Sequence, residues 1–142
     1  MASPATHLLF VYGSLRSGFH HPAYHYISRY FHPLGPARVR GTLYDSGDYP
    51  VAHPEGPGTY IVGELYQIKN TDEWDWAIAQ LDDYEGVQAD EEKPALYRRD
   101  LVTVEQGEVF STAWIYWYAG DVSGNPVVSS GDVLEYLQRK KN

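Results

Sequence analysis

Hydrophobic and polar positions divide this chain into short strands and a few amphipathic helices. Five runs are short, apolar and rich in aromatic or β-branched side chains, as strands are: residues 7–12, 38–44, 60–68, 97–105 and 108–119. In the last run, Trp114, Tyr116 and Tyr118 alternate with Ala113, Ile115 and Trp117. Because both faces of that strand are apolar, we expect both to be covered. Gln106-Gly107 predicts a hairpin turn before it.

The clearest helix begins at Asn70, a residue that commonly caps helix N-termini. Glu73 follows at the position of a capping box, and Asp72 complements the helix dipole. A core-facing stripe comes next at helical spacing: Trp74, Ala77, Ile78 and Leu81. We expect this helix to end between Tyr84 and Gly86.

Two further helices are predicted over residues 22–31 and 132–139, and residues 45–58 are rich in Gly and Pro, which predicts a loop. About six strands and two or three helices that do not alternate regularly predict the α+β class. The aromatic content of 15% favours a small closed or nearly closed sheet. We expect one domain over residues 1–142, with residues 1–6 and those from about 133 at its periphery.

Composition and charge exclude several classes of protein. The net charge is −8, which argues against nucleic acid and anionic membranes as partners. The chain has no cysteine, so disulfides and thiolate chemistry are excluded. No apolar run is long enough to span a membrane, and the N-terminus lacks the pattern of a signal peptide. We therefore expect a cytoplasmic protein.

Two local patterns carry candidate chemistry. The strand that ends at Tyr12 breaks into Gly13-Ser14-Leu15, where successive N–H groups can bind an anion or an oxyanion. An ordinary strand-to-loop turn would look the same. The second pattern is the acidic cluster in residues 81–86, where three carboxylates oppose the dipole at a helix C-terminus.

Within that acidic cluster, Glu85 is flanked by Tyr84 and Gly86 and is the carboxylate expected to turn inward, while Asp82 and Asp83 stay in solvent. Aromatic enclosure raises the pKa of a carboxyl group and suits it to proton transfer. The alternative is an acidic surface that is solvated throughout.

A metal site is not expected. His21 and His25 have the i, i+4 spacing of paired zinc ligands, but residues 1–43 contain no acid to complete a set of ligands. Ser14 is not predicted to be a hydrolase nucleophile, because its surroundings lack the glycines of a nucleophile elbow.

Taken together, the motifs resemble those of the γ-glutamylcyclotransferase-like (AIG2-like) family. The matching blocks occur in the family's order over residues 8–132: Tyr12-Gly13-Ser14-Leu15-Arg16, Gly41-Thr42-Leu43-Tyr44-Asp45, Gly63-Glu64-Leu65-Tyr66, Leu81-Asp82-Asp83-Tyr84-Glu85-Gly86, Tyr97-Arg98-Arg99, Ala113-Trp114-Ile115-Tyr116 and Ser130-Gly131-Asp132. The resemblance implies a small mixed β-barrel of about five to six strands, flanked by two to three helices, with a cavity at one end.

The resemblance also implies an activity: cyclisation of a γ-glutamyl amide to 5-oxoproline with release of an amine or amino acid. The family's binding loop falls on Tyr12, Gly13, Ser14 and Leu15, and its catalytic glutamate falls on Glu85. The implied partner is a small γ-glutamyl-containing substrate, and no cofactor is implied.

Other interpretations remain open at this point. Strand-end positions suggest Tyr44 and Tyr118 as cavity-lining residues, with Tyr97 and Tyr116 as alternatives. The same barrel would also suit a binding module that catalyses nothing, in which Glu85 pairs with a ligand's ammonium group. A third possibility is an interaction protein, which predicts a patch of exposed aromatic residues among Trp74, Trp76 and Trp114. The oligomeric state is not indicated.

Overall fold

The computed structural model describes residues 7–12, 22–46, 50–57, 60–85, 97–133, 135, 136 and 138. Within these residues the structure has the following elements in chain order: β1 (Leu8–Val11), α1 (Pro22–Tyr30), β2 (Phe31–Arg40), β3 (Thr42–Asp45), β4 (Pro50–His53), β5 (Tyr60–Ile68), α2 (Trp74–Glu85), β6 (Tyr97–Gln106) and β7 (Val109–Tyr118).

Five of the strands close into a barrel in the order β1-β5-β2-β6-β7, while β3 and β4 form a separate two-stranded sheet. Neighbouring strands of the barrel are antiparallel except for β1 and β7, which run parallel with Leu9 opposite Trp114. The predicted α+β class and small mixed barrel are confirmed, and so is the hairpin at Gln106-Gly107.

The barrel wall separates two hydrophobic cores. The interior core includes Phe10, Ile61, Leu65, Val104 and Ile115. The outer core lies between the barrel and the helices and includes Leu9, Ile27, Tyr66, Ile78 and Leu81. Alternate residues of one strand therefore contribute to different cores. Apolar residues of β7 contribute to both cores, which confirms the expectation that both faces of this strand are covered.

Asn70 caps the helical segment as predicted. Its side chain accepts a hydrogen bond of 3.0 Å from the Asp72 backbone N–H, and Thr71–Glu73 form a 3₁₀ turn before α2 begins at Trp74. The cap satisfies one of the donors that every helix N-terminus leaves unpaired.

The region between β2 and β5 differs from the prediction. The run over 38–44 is not one strand, because the chain turns at Gly41 into β3. A Cβ atom at Gly41 would lie 2.8 Å from the Ile61 Cδ1 atom and 3.0 Å from the His53 carbonyl oxygen, so only glycine allows this close approach. Residues 50–53, predicted as loop, form strand β4 because pairing with β3 outweighs their weak local preference.

The segment after β7 joins the β3–β4 hairpin to the barrel. The Val128 N–H donates to the Leu43 carbonyl, and the Val62 N–H donates to the Gly131 carbonyl; both hydrogen bonds are 2.8 Å long. Val133 is 3% exposed within the interior core. The Tyr136 hydroxyl donates to the Asp45 carboxylate. Residues from 133 were expected at the periphery, but at least the first of them belongs to the core.

Candidate functional site

Both predicted site segments, the strand that ends at Tyr12 and the helix that carries the acidic cluster, end toward the same end of the barrel. We call it the Tyr12 end; β1 and β7 finish there and β6 begins, at Tyr12, Tyr118 and Tyr97. Tyr12 is 8% exposed and packs in the interior core, and its hydroxyl donates to the Tyr116 carbonyl oxygen. The other predicted binding residues, Gly13, Ser14 and Leu15, follow directly and lie outside the described residues.

Helix α2 runs along the outside of the barrel toward this end. It begins at Trp74, at the opposite end of the barrel. The centroid of the Trp74 ring lies 5.2 Å from that of His7 and 6.0 Å from that of Phe31. Its 12 residues span about 18 Å at the usual helical rise. By Asp82 the helix has reached Arg99 and Tyr116, which lie opposite each other on β6 and β7.

Asp82 is held by two partners on the barrel wall. The Arg99 guanidinium donates from Nε to Oδ1 at 2.7 Å and from Nη2 to Oδ2 at 3.0 Å. The Tyr116 hydroxyl donates to Oδ1 at 2.8 Å. The Asp82 side chain is only 14% exposed. The expectation that Asp82 stays in solvent is therefore wrong, whereas Asp83 is exposed as expected.

The sequence contained an indirect signal for this cluster. Asp82 directly follows Leu81 in the buried stripe and stands four residues after Ile78, so it lies at the border of the buried face. Residues 71–92 contain nine acids and no base, so a cation for a buried carboxylate had to come from another element. Which arginine would supply it depends on the barrel closure, which sequence spacing does not reveal.

Glu85 is the last residue of α2, and its backbone lies at the Tyr12 end of the barrel. It follows Asp82 by three residues, which is about 4.5 Å along the helix axis, and lies on a neighbouring part of the same helical face. Since Asp82 contacts the strand whose carbonyl receives the Tyr12 hydroxyl, the last turn of α2 and the end of β1 are linked to β7 near the same end of the barrel. The Glu85 side chain lies outside the description.

The two tyrosines suggested as cavity-lining residues lie in different places. Tyr118 ends β7, is half-buried and packs edge-to-face on Tyr97 with ring centroids 5.6 Å apart. It therefore stands at the Tyr12 end. Tyr44 belongs to the β3–β4 hairpin, where its ring packs edge-to-face on His53 at 6.4 Å. Tyr44 therefore lies on the hairpin, and its suggested place at the cavity stays a prediction.

Within the described parts of the chain, no group of three or more His, Asp or Glu residues could hold a metal ion. His25 is exposed on α1, and His21 lies outside those parts. None of the described helices is long and apolar enough to cross a membrane. Of the three tryptophans that could have formed an exposed patch, Trp76 is 60% exposed, while Trp74 and Trp114 pack against the outer core.

Comparison with known proteins agrees with this architecture. The model of the family described as gamma-glutamyl cyclotransferase, AIG2-like, matches residues 9–135. A Vibrio cholerae protein whose name includes the word gamma-glutamylcyclotransferase is 34% identical over 128 residues, 89% of this chain and 94% of that protein. The gamma-glutamylcyclotransferase family protein YtfP of Escherichia coli K12 is also 34% identical, over 89% of this chain and 96% of its own.

Solved structures show the same fold. The solution NMR structure of ytfP from Escherichia coli matches with a TM-score of 0.60 and 30% identity, over 91% of this chain and 97% of that one. The crystal structure of YkqA from Bacillus subtilis matches with a TM-score of 0.67 and 28% identity. That match covers 94% of this chain and 42% of YkqA, so more than half of YkqA lies outside the match.

Proposed function

The chain belongs to the gamma-glutamyl cyclotransferase, AIG2-like family, and from that premise we propose that it cyclises a small γ-glutamyl amide to 5-oxoproline. In this proposal the released product is an amine or amino acid, and Glu85 is the general base and acid. Tyr12, Gly13, Ser14 and Leu15 bind the γ-glutamyl group, and Tyr118 borders it.

One observation carries the proposal. Tyr12 and Asp82 both bind Tyr116, so the end of β1 and the last turn of α2 are both anchored to β7 near the same end of the barrel. The first element leads into the proposed binding turn, and the second ends at the proposed proton carrier. Residues 12 and 85 are 73 positions apart in the sequence, yet the fold supports placing them around one substrate.

The proposed reaction needs orientation more than activation. The α-amine of the γ-glutamyl group attacks its own side-chain carbonyl carbon, which forms the new C–N bond of the lactam. The bond to the leaving nitrogen then breaks. Because nucleophile and electrophile belong to one substrate molecule, holding the γ-glutamyl group in a bent conformation supplies much of the rate enhancement.

Protons balance within the same cycle. The attacking amine loses a proton to the Glu85 carboxylate, and the protonated carboxyl group returns it to the leaving nitrogen. Backbone N–H groups of the turn Gly13–Leu15 are assigned to the oxyanion that forms on the carbonyl oxygen. No other reactant is consumed.

The test is release of 5-oxoproline from a panel of γ-glutamyl amines, γ-glutamyl amino acids and γ-glutamyl dipeptides, followed by mass spectrometry. Glu85→Gln removes the proposed proton carrier and keeps the shape of the side chain. We expect it to lower kcat by about 10²- to 10⁴-fold, the usual contribution of a general acid and base. Glu73→Gln is the matched control, because it makes the same change at an exposed position before the start of α2.

Equal turnover by the wild type and Glu85→Gln would remove Glu85 from the mechanism. If no member of the panel yields 5-oxoproline while some of them raise the melting temperature, the chain is a binding module instead. The released amine or amino acid from the best substrate would define what the rest of the cavity recognises.

A further inference from the structure

We propose that Asp82, Arg99 and Tyr116 form a positioning device that fixes the last turn of α2 against β6 and β7, and so in position relative to the end of β1. The device acts through Glu85 and touches no reacting atom, so its three members are positioning residues. This inference rests on the proposed function of Glu85, and it adds the part of the barrel that sets the location of that residue.

The Asp82–Arg99 pair has the geometry of a fixed clamp. Both guanidinium–carboxylate hydrogen bonds are short and parallel, at 2.7 and 3.0 Å, which restricts distance and orientation together. The Arg99 guanidinium carbon also lies 4.6 Å from the centre of the Trp114 ring, so a cation–π contact restrains the guanidinium as well. The two side chains are 14% and 23% exposed, which limits screening by solvent.

A neighbouring ion pair on the same strand lacks these features. Arg98 and Asp100 lie on the same strand, β6, and approach to 2.8 Å. Their side chains are 56% and 47% exposed, and both belong to one strand, so this pair connects no separate elements. An exposed pair of this kind contributes little to stability or position.

Tyr116 connects both site segments to strand β7. Its carbonyl oxygen receives the Tyr12 hydroxyl on the inside of the barrel, while its own hydroxyl donates to Asp82 on the outside. Strand β7 is well suited to this purpose, because it pairs with β6 over ten residues and also contacts β1. A shift of the helix end relative to the strand end therefore requires a change at Tyr116.

The last turn of α2 needs such support. Final helical turns leave their carbonyl groups without intrahelical partners and fray readily. In this helix the turn also carries Asp82, Asp83 and Glu85, which the helix dipole disfavours. A general base has to be placed within about half an ångström of its working position, so a frayed turn would not support catalysis.

Two variants test the device. Tyr116→Phe removes one hydroxyl and keeps the backbone carbonyl that binds Tyr12, and Asp82→Asn removes the charge from the clamp. Asp83→Asn is the matched control, with the same change at the adjacent exposed position. We expect kcat for 5-oxoproline release to fall about 10- to 100-fold in the two test variants, with KM within about twofold, and to stay within about twofold in the control.

Amide hydrogen exchange gives a readout that does not depend on activity. In Tyr116→Phe and Asp82→Asn, exchange of the amides of residues 82–85 should rise about tenfold or more, while the first turn of α2 and the control variant stay unchanged. If exchange in the last turn stays at the wild-type rate, the device is refuted. If exchange rises and kcat stays unchanged, the clamp is structural and the positioning role is refuted.

The two proposals can fail separately. If the wild type releases no 5-oxoproline from any substrate, the proposed function fails, and the exchange experiment alone decides whether these residues hold the helix end. If Asp82→Asn does not fold because Arg99 is left without its carboxylate, Tyr116→Phe still provides both measurements.

Discussion

Replacing Gly63 by alanine tests how closely β1 and β5 approach each other beside the candidate site. Gly63 lies on β5, and a Cβ atom there would be 2.2 Å from the Val11 carbonyl oxygen and 2.6 Å from the Phe10 Cζ atom. The nearest of these atoms belongs to the backbone, so it cannot rotate away. The strands would have to separate or shift where the chain continues into Tyr12.

The magnitude follows from the size of this overlap. Ordinary van der Waals contact begins at 3.4 Å, so the Val11 carbonyl would have to move by about 1.2 Å. Overpacking of this kind usually costs about 1–3 kcal/mol, and a rigid neighbour places the site at the upper end of that range. About 3 kcal/mol corresponds to a melting temperature roughly 10 °C lower in a domain of this size.

Thermal unfolding followed by circular dichroism measures the effect. Gly107→Ala is the control, because Gly107 has φ of 61° and nothing would lie within 4 Å of its Cβ atom. That change carries only the conformational cost of the left-handed backbone, about 1–2 kcal/mol. If Gly63→Ala melts within about 3 °C of the wild type, or above Gly107→Ala, the inferred close approach of β1 and β5 is wrong.

Three further predictions address the helix packing, the end of β1 and the pH dependence. Leu81→Ala should reduce the free energy of unfolding in urea by about 3 kcal/mol, because Leu81 is 2% exposed in the outer core. Leu101→Ala, at a position 47% exposed, should change that free energy by no more than about 0.5 kcal/mol, and equal losses in the two variants would contradict the assigned packing. Tyr12→Phe should cost about 1 kcal/mol and lower 5-oxoproline release, since the Tyr116 carbonyl loses the Tyr12 hydroxyl as a donor; unchanged stability in urea would argue against that hydrogen bond. Hydrogen bonds from Ser123, the one from its backbone N–H first, lower the pKa of Asp121 below its ordinary value of 3.8. The Asp121 carboxylate therefore stabilises the folded state at pH values above 3.8. This contribution is lost as the pH falls through the pKa that Asp121 has in the folded state. Urea midpoints at pH 7 and pH 3 should therefore differ less in Asp121→Asn than in the wild type, and an equal difference would show that the group has no such role.

Local patterns in the sequence were sufficient for the elements that depend on near neighbours. The alternation in 108–119 identified a strand covered on both faces, and Asn70 marked the start of the helical segment, because pleat and helix periodicities act within a few residues. The ordered motifs from Tyr12 to Asp132 identified the family, since the binding turn and the acidic cluster are each short and continuous. The roles of Glu85 and of the turn at Gly13–Leu15 stay predictions.

Tertiary structure decided everything that depends on which distant segments meet. The local sequence predicts a solvated Asp82, yet this residue is held by Arg99, 17 residues away, and by Tyr116, 34 residues away. The hydrogen bond from Tyr12 to Tyr116 spans 104 residues. Likewise, β4 is a strand only because β3 pairs with it. The free energy of a partly buried ion pair or a strand pairing comes from a partner that closure of the barrel supplies, and a pattern along one segment contains no information about that partner.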